Sequence, residues 1–236
     1  MIPVTKALIL AAGRGERMRP LSDAIPKPLL EVRGKRLIEW HLEALARAGV
    51  REVVVNTAWL EDQFPPALGD GSRWGLAIAW STEGRDHGGA LETAGGMAKA
   101  LPRLGLADDE AFWVVSGDVW APGFAFDDAA LGRGALARLW LVPNPPHHPG
   151  GDFGISAEGL AVREEPRFTW SSIGLFSARF VRELMAGLAP GAKAPLHPYL
   201  EAAIDRRALA ATLWRGAWTD VGTPARLAAL NSPAAG

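Results

Sequence analysis

The sequence predicts an α/β protein built on a doubly wound, mostly parallel sheet, because short apolar runs alternate with segments of helical periodicity along its 236 residues. Three apolar runs carry this prediction: residues 7–12, Val53–Val55, and residues 112–115, which lead into Gly117 and Asp118. Runs without polar interruptions are typical of strands buried on both faces. Ligands of such sheets bind at the carboxyl ends of the strands, so we expect the functional residues there.

The other elements follow from hydrophobic period and from helix-ending residues. Apolar positions recur at helical spacing in residues 37–48, and Gly49 is a typical end for that helix. The same reasoning predicts strands at 76–80, 135–143, 168–176 and 209–214, and helices at 60–68, 93–101, 178–188, 195–206 and 225–230.

Composition and charge limit the function classes. A net charge of −1 offers no extended positive surface for nucleic acid or for an anionic membrane. The chain has no cysteine, which excludes disulfides and thiolate metal sites. No segment approaches the roughly 20 apolar residues that span a bilayer. We therefore expect a cytoplasmic enzyme or binding protein, acting as a monomer or a small homo-oligomer.

A glycine-rich turn with nearby cations follows the first strand. Gly13 and Gly15 allow a tight turn whose main-chain N–H groups can donate hydrogen bonds to an anion. Four cations come soon after: Arg14, Arg17, Arg19 and Lys27. The turn lacks the third glycine of the dinucleotide fingerprint and the G-K-[ST] of a Walker loop. Its cations nevertheless suit a polyphosphate.

The pattern G-x-G-x-R-M-x-P from Gly13 to Pro20, followed by residues 26–28 (P-K-P), resembles the signature of the sugar-1-phosphate nucleotidyltransferase family. The resemblance covers the chain from Lys6 to about Leu230. It implies one Rossmann-like nucleotidyltransferase domain with a small sugar-binding lobe. The nucleotide-binding half would span residues 1–120 and the sugar-binding half residues 121–230.

The resemblance also assigns roles in the glycine loop. It implies that the loop binds the nucleotide through Ala11, Ala12, Gly13 and Gly15. It further implies that Arg17 contacts the departing pyrophosphate and that Lys27 lies beside the reacting phosphates, as the two catalytic residues.

The segment 91–96, L-E-T-A-G-G, resembles the L-G-T-A-G segment with which this family holds the nucleobase, with Glu92 in place of the first glycine. The resemblance implies nucleotide binding by Gly95. Glu83 is the candidate acceptor for the N3–H of uracil, which would suit UTP.

Two aspartates are candidate ligands for Mg²⁺, which prefers hard oxygen donors and typically uses one or two protein carboxylates. Asp118 ends a buried strand, and Asp220 lies in the motif W-x-D-V-G-T-P at 218–224. Each aspartate taken alone could instead be a helix cap. The resemblance implies that the two together hold the metal.

The sugar-binding residues are also implied by the resemblance: Asn144, Asp152, Gly154, Glu164 and Ser172. Relatives often carry a lysine where this chain has Glu165, so Lys27, Arg163 or Arg167 would have to contact the sugar phosphate. Zinc binding by the paired histidines His147 and His148 is disfavoured, because there is no cysteine and no third histidine nearby.

Within the family, the compact form, the N-P-x-H-H run and the L-E-T-A-G-G segment most resemble the enzymes that couple UTP to N-acetylmuramic acid 1-phosphate in cell-wall recycling. The lactyl carboxylate of that sugar would need a cation, for which His147, His148 and Arg163 are candidates. The alternatives are mannose 1-phosphate with GTP, glucose 1-phosphate with UTP or dTTP, and a catalytically dead regulator that binds a nucleotide sugar.

Overall fold

The computed structural model describes residues 4–126 and 130–232. Its strands are β1 (Lys6–Leu10), β2 (Glu31–Val32), β3 (Lys35–Arg36), β4 (Glu52–Thr57), β5 (Ala77–Thr82), β6 (Ala111–Ser116), β7 (Val119–Trp120), β8 (Ala137–Val142), β9 (Gly154–Ile155), β10 (Ala161–Val162), β11 (Thr169–Ser177), β12 (Leu209–Leu213) and β13 (Thr219–Asp220). Its α-helices are α1 (Leu21–Ala24), α2 (Leu37–Arg47), α3 (Phe64–Leu68), α4 (Glu83–His87), α5 (Glu92–Leu104), α6 (His197–Asp205) and α7 (Pro224–Asn231). In the described part of the chain no helix is long and apolar enough to cross a membrane.

Seven strands form the central sheet, in the order β12-β8-β11-β6-β1-β4-β5. β1 pairs in parallel with β4 and β6, β4 pairs in parallel with β5, and β8 pairs in parallel with β12. β11 is antiparallel to both β6 and β8. Six strands therefore point in one direction, which confirms the mostly parallel sheet, and their carboxyl ends share one edge.

Side chains of the central strands alternate between two hydrophobic layers, as the pleat of a strand requires. Leu8 of β1 packs on the side covered by α5 and α6, whereas Ala7 and Ile9 pack on the side covered by α2 and α3. The sheet is thus buried on both faces, which explains why its strands are continuously apolar in sequence.

Most predicted elements are present, although the short elements α1, β2, β3, β9 and β10 were not expected and some bounds differ. The first strand ends at Leu10, so Ala11 and Ala12 belong to the loop that follows. The helix expected at 178–188 is a π-helical turn, Phe180–Leu184. α4 occupies a stretch where a loop was expected, because a helix of five residues is too short to show a helical period.

A third, smaller hydrophobic cluster lies under the glycine loop and includes Met18, Trp120, Val221 and Leu227. It joins four separate parts of the chain: the loop, the antiparallel pair β7–β13, the hairpin β2–β3 and helix α7. The side chain of Asn231 in α7 also accepts the Arg33 N–H at 2.6 Å and donates to the Glu31 carbonyl at 2.9 Å. The carboxyl-terminal helix thereby anchors the hairpin near the start of the chain.

His41 of α2 is buried, and its Nε2–H donates to the Val119 carbonyl at 2.8 Å. Burial lowers the pKa of His41 from 6.5 to about 4. The unfolded chain therefore binds the extra proton first, and the free energy of unfolding should fall as the pH is lowered from about 6.5 to about 4. The loss attributable to His41 should reach about 3 kcal/mol.

Denaturant unfolding of the wild type and of His41→Gln at several pH values measures this effect. Glutamine can still donate to Val119 but does not titrate, so the difference between the two curves isolates the histidine. Parallel curves between pH 7 and pH 4 would contradict the prediction.

Candidate functional site

A cleft of about 250 Å³ opens at the carboxyl edge of β1, β4 and β6. It brings together five residues that the sequence predicted for this site: Ala11, Ala12, Gly13, Lys27 and Asp118. It is also lined by residues that the sequence did not single out as site residues, among them Asn56, Ala90, Glu92, Thr93 and Ser116. Five predicted site residues therefore lie together at this edge, and their functional roles stay predictions.

The glycine loop is held in place by side chains from outside it. Gly15 has a left-handed backbone with φ of 68°, and its carbonyl accepts the Ser22 hydroxyl at 2.7 Å. The indole of Trp59 donates to the Ser22 carbonyl at 2.8 Å. The Arg14 guanidinium lies 3.3 Å from the centroid of the Trp59 ring and pairs with Asp23. Arg14 therefore orders the loop.

Gly15 also provides room for Lys27, because a Cβ at this position would lie 2.8 Å from Lys27 Cγ. We expect Gly15→Ala to displace the lysine and to lower kcat at least tenfold. The left-handed backbone should also lower the free energy of unfolding by roughly 1–2 kcal/mol, because the new residue has a side chain. The matched control is Gly34→Ala, which has φ of 75° and open space around it. Thermal melts and pyrophosphate release should show similar destabilisation of both variants but loss of turnover in Gly15→Ala alone.

Lys27 and Asp118 form an ion pair inside the cleft, with the Lys27 side chain only 13% exposed. The Ser116 hydroxyl donates to the other carboxylate oxygen, Oδ1, at 2.7 Å. Burial on its own would raise the pKa of Asp118, but the charge and hydrogen bond of Lys27 together with the Ser116 hydrogen bond outweigh it and keep that pKa below its usual value. Asp118 is therefore ionised at neutral pH.

Asp220 lies on β13, directly beside the segment that carries Asp118. Its residue position is opposite Val119, and the Val221 N–H donates to the Asp118 carbonyl at 2.9 Å. The Asp220 carboxylate pairs with Arg226, and Nε2 of His147 lies 2.9 Å from Asp220 Oδ1. The fold thus places Asp220 of β13 beside the turn that carries Asp118, although the two residues are distant in sequence.

Asp118 and Asp220 are the carboxylates predicted to hold a metal ion. Among the described residues, no group of three or more histidine, aspartate and glutamate side chains is arranged to hold a metal ion, so a metal bound here would have fewer protein ligands. Asp118 and Asp220 are each opposed by a protein cation, Lys27 and Arg226 respectively. Asp118 lines the cleft and Asp220 does not. Carboxylate oxygens are the hard donors that Mg²⁺ prefers, and one or two protein carboxylates are typical of its sites.

Arg17, predicted to contact pyrophosphate, lies on the exposed side of the turn Glu16–Met18. It forms no ion pair with another residue in the described ranges, whereas Arg19 pairs with Asp23 at 3.1 Å. Arg17 is not among the residues that line the cleft, so its predicted contact with pyrophosphate stays a prediction.

The prediction that Glu83 receives the edge of the base is corrected by its surroundings. Glu83 is fully buried, and its two carboxylate oxygens accept the Asn56 side-chain N–H and the Leu91 main-chain N–H, both at 2.7 Å. Burial raises the pKa of this carboxyl group. Glu83 therefore holds Asn56 and the main chain at Leu91 in place and is not exposed to a ligand in the cleft.

Gly95, predicted to bind the nucleotide, faces away from the cleft. Its N–H donates to the Ala194 carbonyl at 3.3 Å, and a side chain at this position would collide with the carbonyl of Ala192. This gives Gly95 a packing role in place of the predicted direct contact. Glu92, which lines the cleft, has φ of 60°, a conformation that glycine adopts more easily. The positive φ at this position therefore explains why the family segment L-G-T-A-G has a glycine there.

Two of the predicted sugar residues, Asn144 and Asp152, use their side chains to shape the second half of the molecule. Asn144 donates to the carbonyls of Pro149 and Arg167 at 2.9 and 3.1 Å. Asp152 accepts the Trp170 N–H at 2.7 Å. These bonds fix the loop between β8 and β9, and a contact between either side chain and sugar stays a prediction.

The other predicted sugar residues differ in their environments. Gly154 is buried where a side chain would strike the carbonyl of Glu164, and the Glu164 side chain is exposed. Ser172 has φ of 61° at a bulge in β11, a left-handed backbone conformation that glycine and asparagine adopt more easily than serine. Arg163 pairs with Glu201 and Asp205 of α6, so it is already engaged and is a poor candidate for the sugar phosphate.

A parallel sheet whose carboxyl edge carries a cation-rich glycine loop and two neighbouring carboxylates defines a protein that handles nucleoside phosphates. Residues 6–133 match the family described as nucleotidyl transferase. The chain is 46% identical over 230 residues to N-acetylmuramate alpha-1-phosphate uridylyltransferase of Neisseria meningitidis serogroup B, covering 94% of this chain and 95% of that protein. The chain belongs to the nucleotidyl transferase family, and the resemblance to its sugar-1-phosphate members is confirmed.

Two further comparisons agree. An N-acetylmuramate alpha-1-phosphate uridylyltransferase of Caulobacter vibrioides is 36% identical over 163 residues, which cover 65% of this chain and 66% of that protein. The crystal structure of a Bacillus anthracis protein described as a glucose-1-phosphate thymidylyltransferase superposes with a TM-score of 0.77 over 96% of this chain and 93% of the other. At 20% identity this last likeness shows the fold.

Proposed function

We propose that this chain transfers the uridylyl group of UTP to N-acetylmuramic acid 1-phosphate, giving UDP-N-acetylmuramic acid and pyrophosphate. The observation that carries the proposal is the 46% identity to a uridylyltransferase of that name, extending over nearly the full length of both chains. The proposal would place the chain in cell-wall recycling, and a cytoplasmic location stays a prediction of the sequence.

The reaction joins two anions, so charge and alignment dominate its barrier. An oxygen of the sugar phosphate attacks the α-phosphorus of UTP, a new P–O bond forms, and the bond to pyrophosphate breaks. The attacking phosphate is already ionised, so no general base is needed. Lys27 offsets the negative charge at the reacting phosphates from its place in the cleft. The N–H groups of the glycine loop and the Arg17 guanidinium stabilise the pyrophosphate.

We include Mg²⁺ in the proposal, held by Asp118 and Asp220. When bound, the ion would supply further neutralisation of the phosphate charges. What supports this role is the pairing of β7 with β13, which places Asp220 beside the turn that carries Asp118, and the protein cation that pairs with each carboxylate. Lys27 and Arg226 would then exchange part of their contact with the carboxylates for contact with substrate phosphates.

On the sugar side, a cation is needed for the lactyl carboxylate of N-acetylmuramic acid. His147 Nε2 lies 2.8 Å from Nη1 of Arg226, and both groups adjoin Asp220. We propose His147 for the carboxylate, because it adjoins Asp220 and therefore the proposed metal, whereas Arg163 pairs with α6 and His148 lies beside Asp152 of its own loop.

A matrix of nucleoside triphosphates against sugar 1-phosphates, assayed by pyrophosphate release, tests the proposal. We expect the highest kcat/KM for UTP with N-acetylmuramic acid 1-phosphate. A higher value for GTP with mannose 1-phosphate, or for UTP or dTTP with glucose 1-phosphate, would replace the substrate assignment. Binding of nucleotide sugars without turnover of any pair would favour a regulator.

A further inference from the structure

A continuous chain of buried hydrogen bonds connects the glycine loop with the start of α5. The Ala11 N–H donates to Asn56 Oδ1, the Asn56 Nδ2–H donates to Glu83 Oε1, and the Leu91 N–H donates to Glu83 Oε2, each at 2.7 Å. Asn56 is 2% exposed and Glu83 is fully buried. These hydrogen bonds are shielded from solvent, so they connect two parts of the protein to each other.

The two ends of this chain are parts of the cleft wall. Ala11 begins the glycine loop, and Leu91 immediately precedes Glu92 and Thr93, which line the opposite side of the same cleft. The proposed function places the phosphates of a nucleoside triphosphate at the loop and its base near Glu92 and Thr93, the residues of α5 that line the cleft. The hydrogen bonds therefore span the two regions that one ligand must contact together.

The direction of the bonds fixes the chemistry of each residue. Both end groups are main-chain N–H groups, which can only donate. Asn56 must therefore present its oxygen to Ala11 and its nitrogen to Glu83, and Glu83 must accept on both oxygens. An ionised carboxylate has two acceptor oxygens, whereas a glutamine side chain has one.

Other features fit this arrangement. A Cβ at Gly96 would lie 2.6 Å from Asn56 Nδ2 and 2.7 Å from Glu83 Oε1, so α5 can cover the pair only with glycine at this position. Lys99 donates to the Thr82 carbonyl at 2.6 Å, and its charge favours the ionised form of Glu83 against the effect of burial.

We propose that Asn56 and Glu83 are positioning residues that hold the base-binding segment and the triphosphate loop at one fixed separation and orientation. The proposal rests on the proposed function for the identity of the nucleotide. A ligand that contacts both regions binds more tightly when they are prealigned, because folding has already ordered them and binding does not have to. A ligand that contacts one region gains much less.

The test uses a reversal of bond direction. Glu83→Gln and Asn56→Asp each leave one mismatched pair: two N–H donors face each other in the first variant, and two carboxylates in the second. The double variant Asn56→Asp/Glu83→Gln restores all three bonds, with the carboxylate accepting from Ala11 and from the new glutamine, and with the same total charge. Leaving a buried polar group without its hydrogen bond typically changes an equilibrium constant by about 10- to 100-fold.

Calorimetric titration with UTP, tripolyphosphate and uridine, below the melting temperature of every variant, provides the measurement. We expect each single variant to weaken UTP binding about 10- to 100-fold and to weaken tripolyphosphate and uridine binding less than threefold, and we expect the double variant to return to within about threefold of wild type. Ser177→Ala removes a buried hydrogen bond to the Leu136 carbonyl, distant in sequence from the cleft residues, and should lower stability alone.

Equal weakening of all three ligands in the single variants, or a folded double variant that does not regain UTP affinity, would overturn the proposal. If a single variant fails to fold, the double variant decides: recovery of both folding and UTP affinity supports the link, and recovery of folding alone overturns it. If the substrate matrix selects a triphosphate other than UTP, the same titrations with that nucleotide test the link independently of the uridylyl assignment.

Discussion

Replacing Asp118 with asparagine should lower kcat by about 10²- to 10³-fold, the loss typical when one preorganised charged or polar group is removed from a reaction centre. Asparagine keeps the size of the side chain and can still accept from Ser116, which lies 2.7 Å away. It loses the negative charge that faces Lys27 and that we propose for Mg²⁺. The check is pyrophosphate release at increasing Mg²⁺ concentration for the wild type, Asp118→Asn and Asp220→Asn.

The matched control is Asp108→Asn, because Asp108 pairs with Arg182 and is not a cleft residue. It should leave both kcat and the Mg²⁺ dependence unchanged. If Asp118→Asn and Asp220→Asn also retained the wild-type dependence on Mg²⁺, the metal assignment would be wrong.

The second large effect is expected from Lys27→Ala. The lysine ammonium is the cation held within the cleft beside Asp118, and its removal leaves the charge of the reacting phosphates less well balanced. We expect kcat to fall by about 10²- to 10³-fold, with a smaller change in the KM for UTP, because the lost interaction is strongest in the transition state.

Steady-state kinetics with both substrates varied separates the two parameters. Lys35→Ala serves as the control, since Lys35 pairs with Glu43 on α2 and should affect neither. A variant at Lys27 that raised KM without lowering kcat would reassign the lysine from the reaction to ground-state binding.

Much of the architecture is predictable from the sequence because burial on both faces leaves a strong local signal. The run Val53–Val55 and the apolar residues before Gly117 are strands of the central sheet, as expected. The direction of β11 carries no such signal. An antiparallel strand inside a mixed sheet is as apolar as its parallel neighbours, so only the pairing with β6 and β8 reveals its direction.

The candidate site is predictable where chemistry requires a particular residue type close to a strand end. Lys27 and Asp118 meet in the cleft as expected. Asn56 has no comparable signal, because one polar residue at the end of an apolar run reads as an ordinary strand boundary. The burial of Glu83 was also hidden, since a glutamate within S-T-E-G-R-D reads as an exposed loop residue, and its two partners are distant in sequence.

The contact between α7 and the β2–β3 hairpin joins parts of the chain that are far apart in sequence. The residues joined by Asn231 are 198 and 200 positions away, and β13 with Asp220 lies just before α7. A chain shortened before β13 would keep all seven strands of the central sheet but would lose Asp220 and this attachment. Such a truncated variant should therefore retain the sheet and lose turnover.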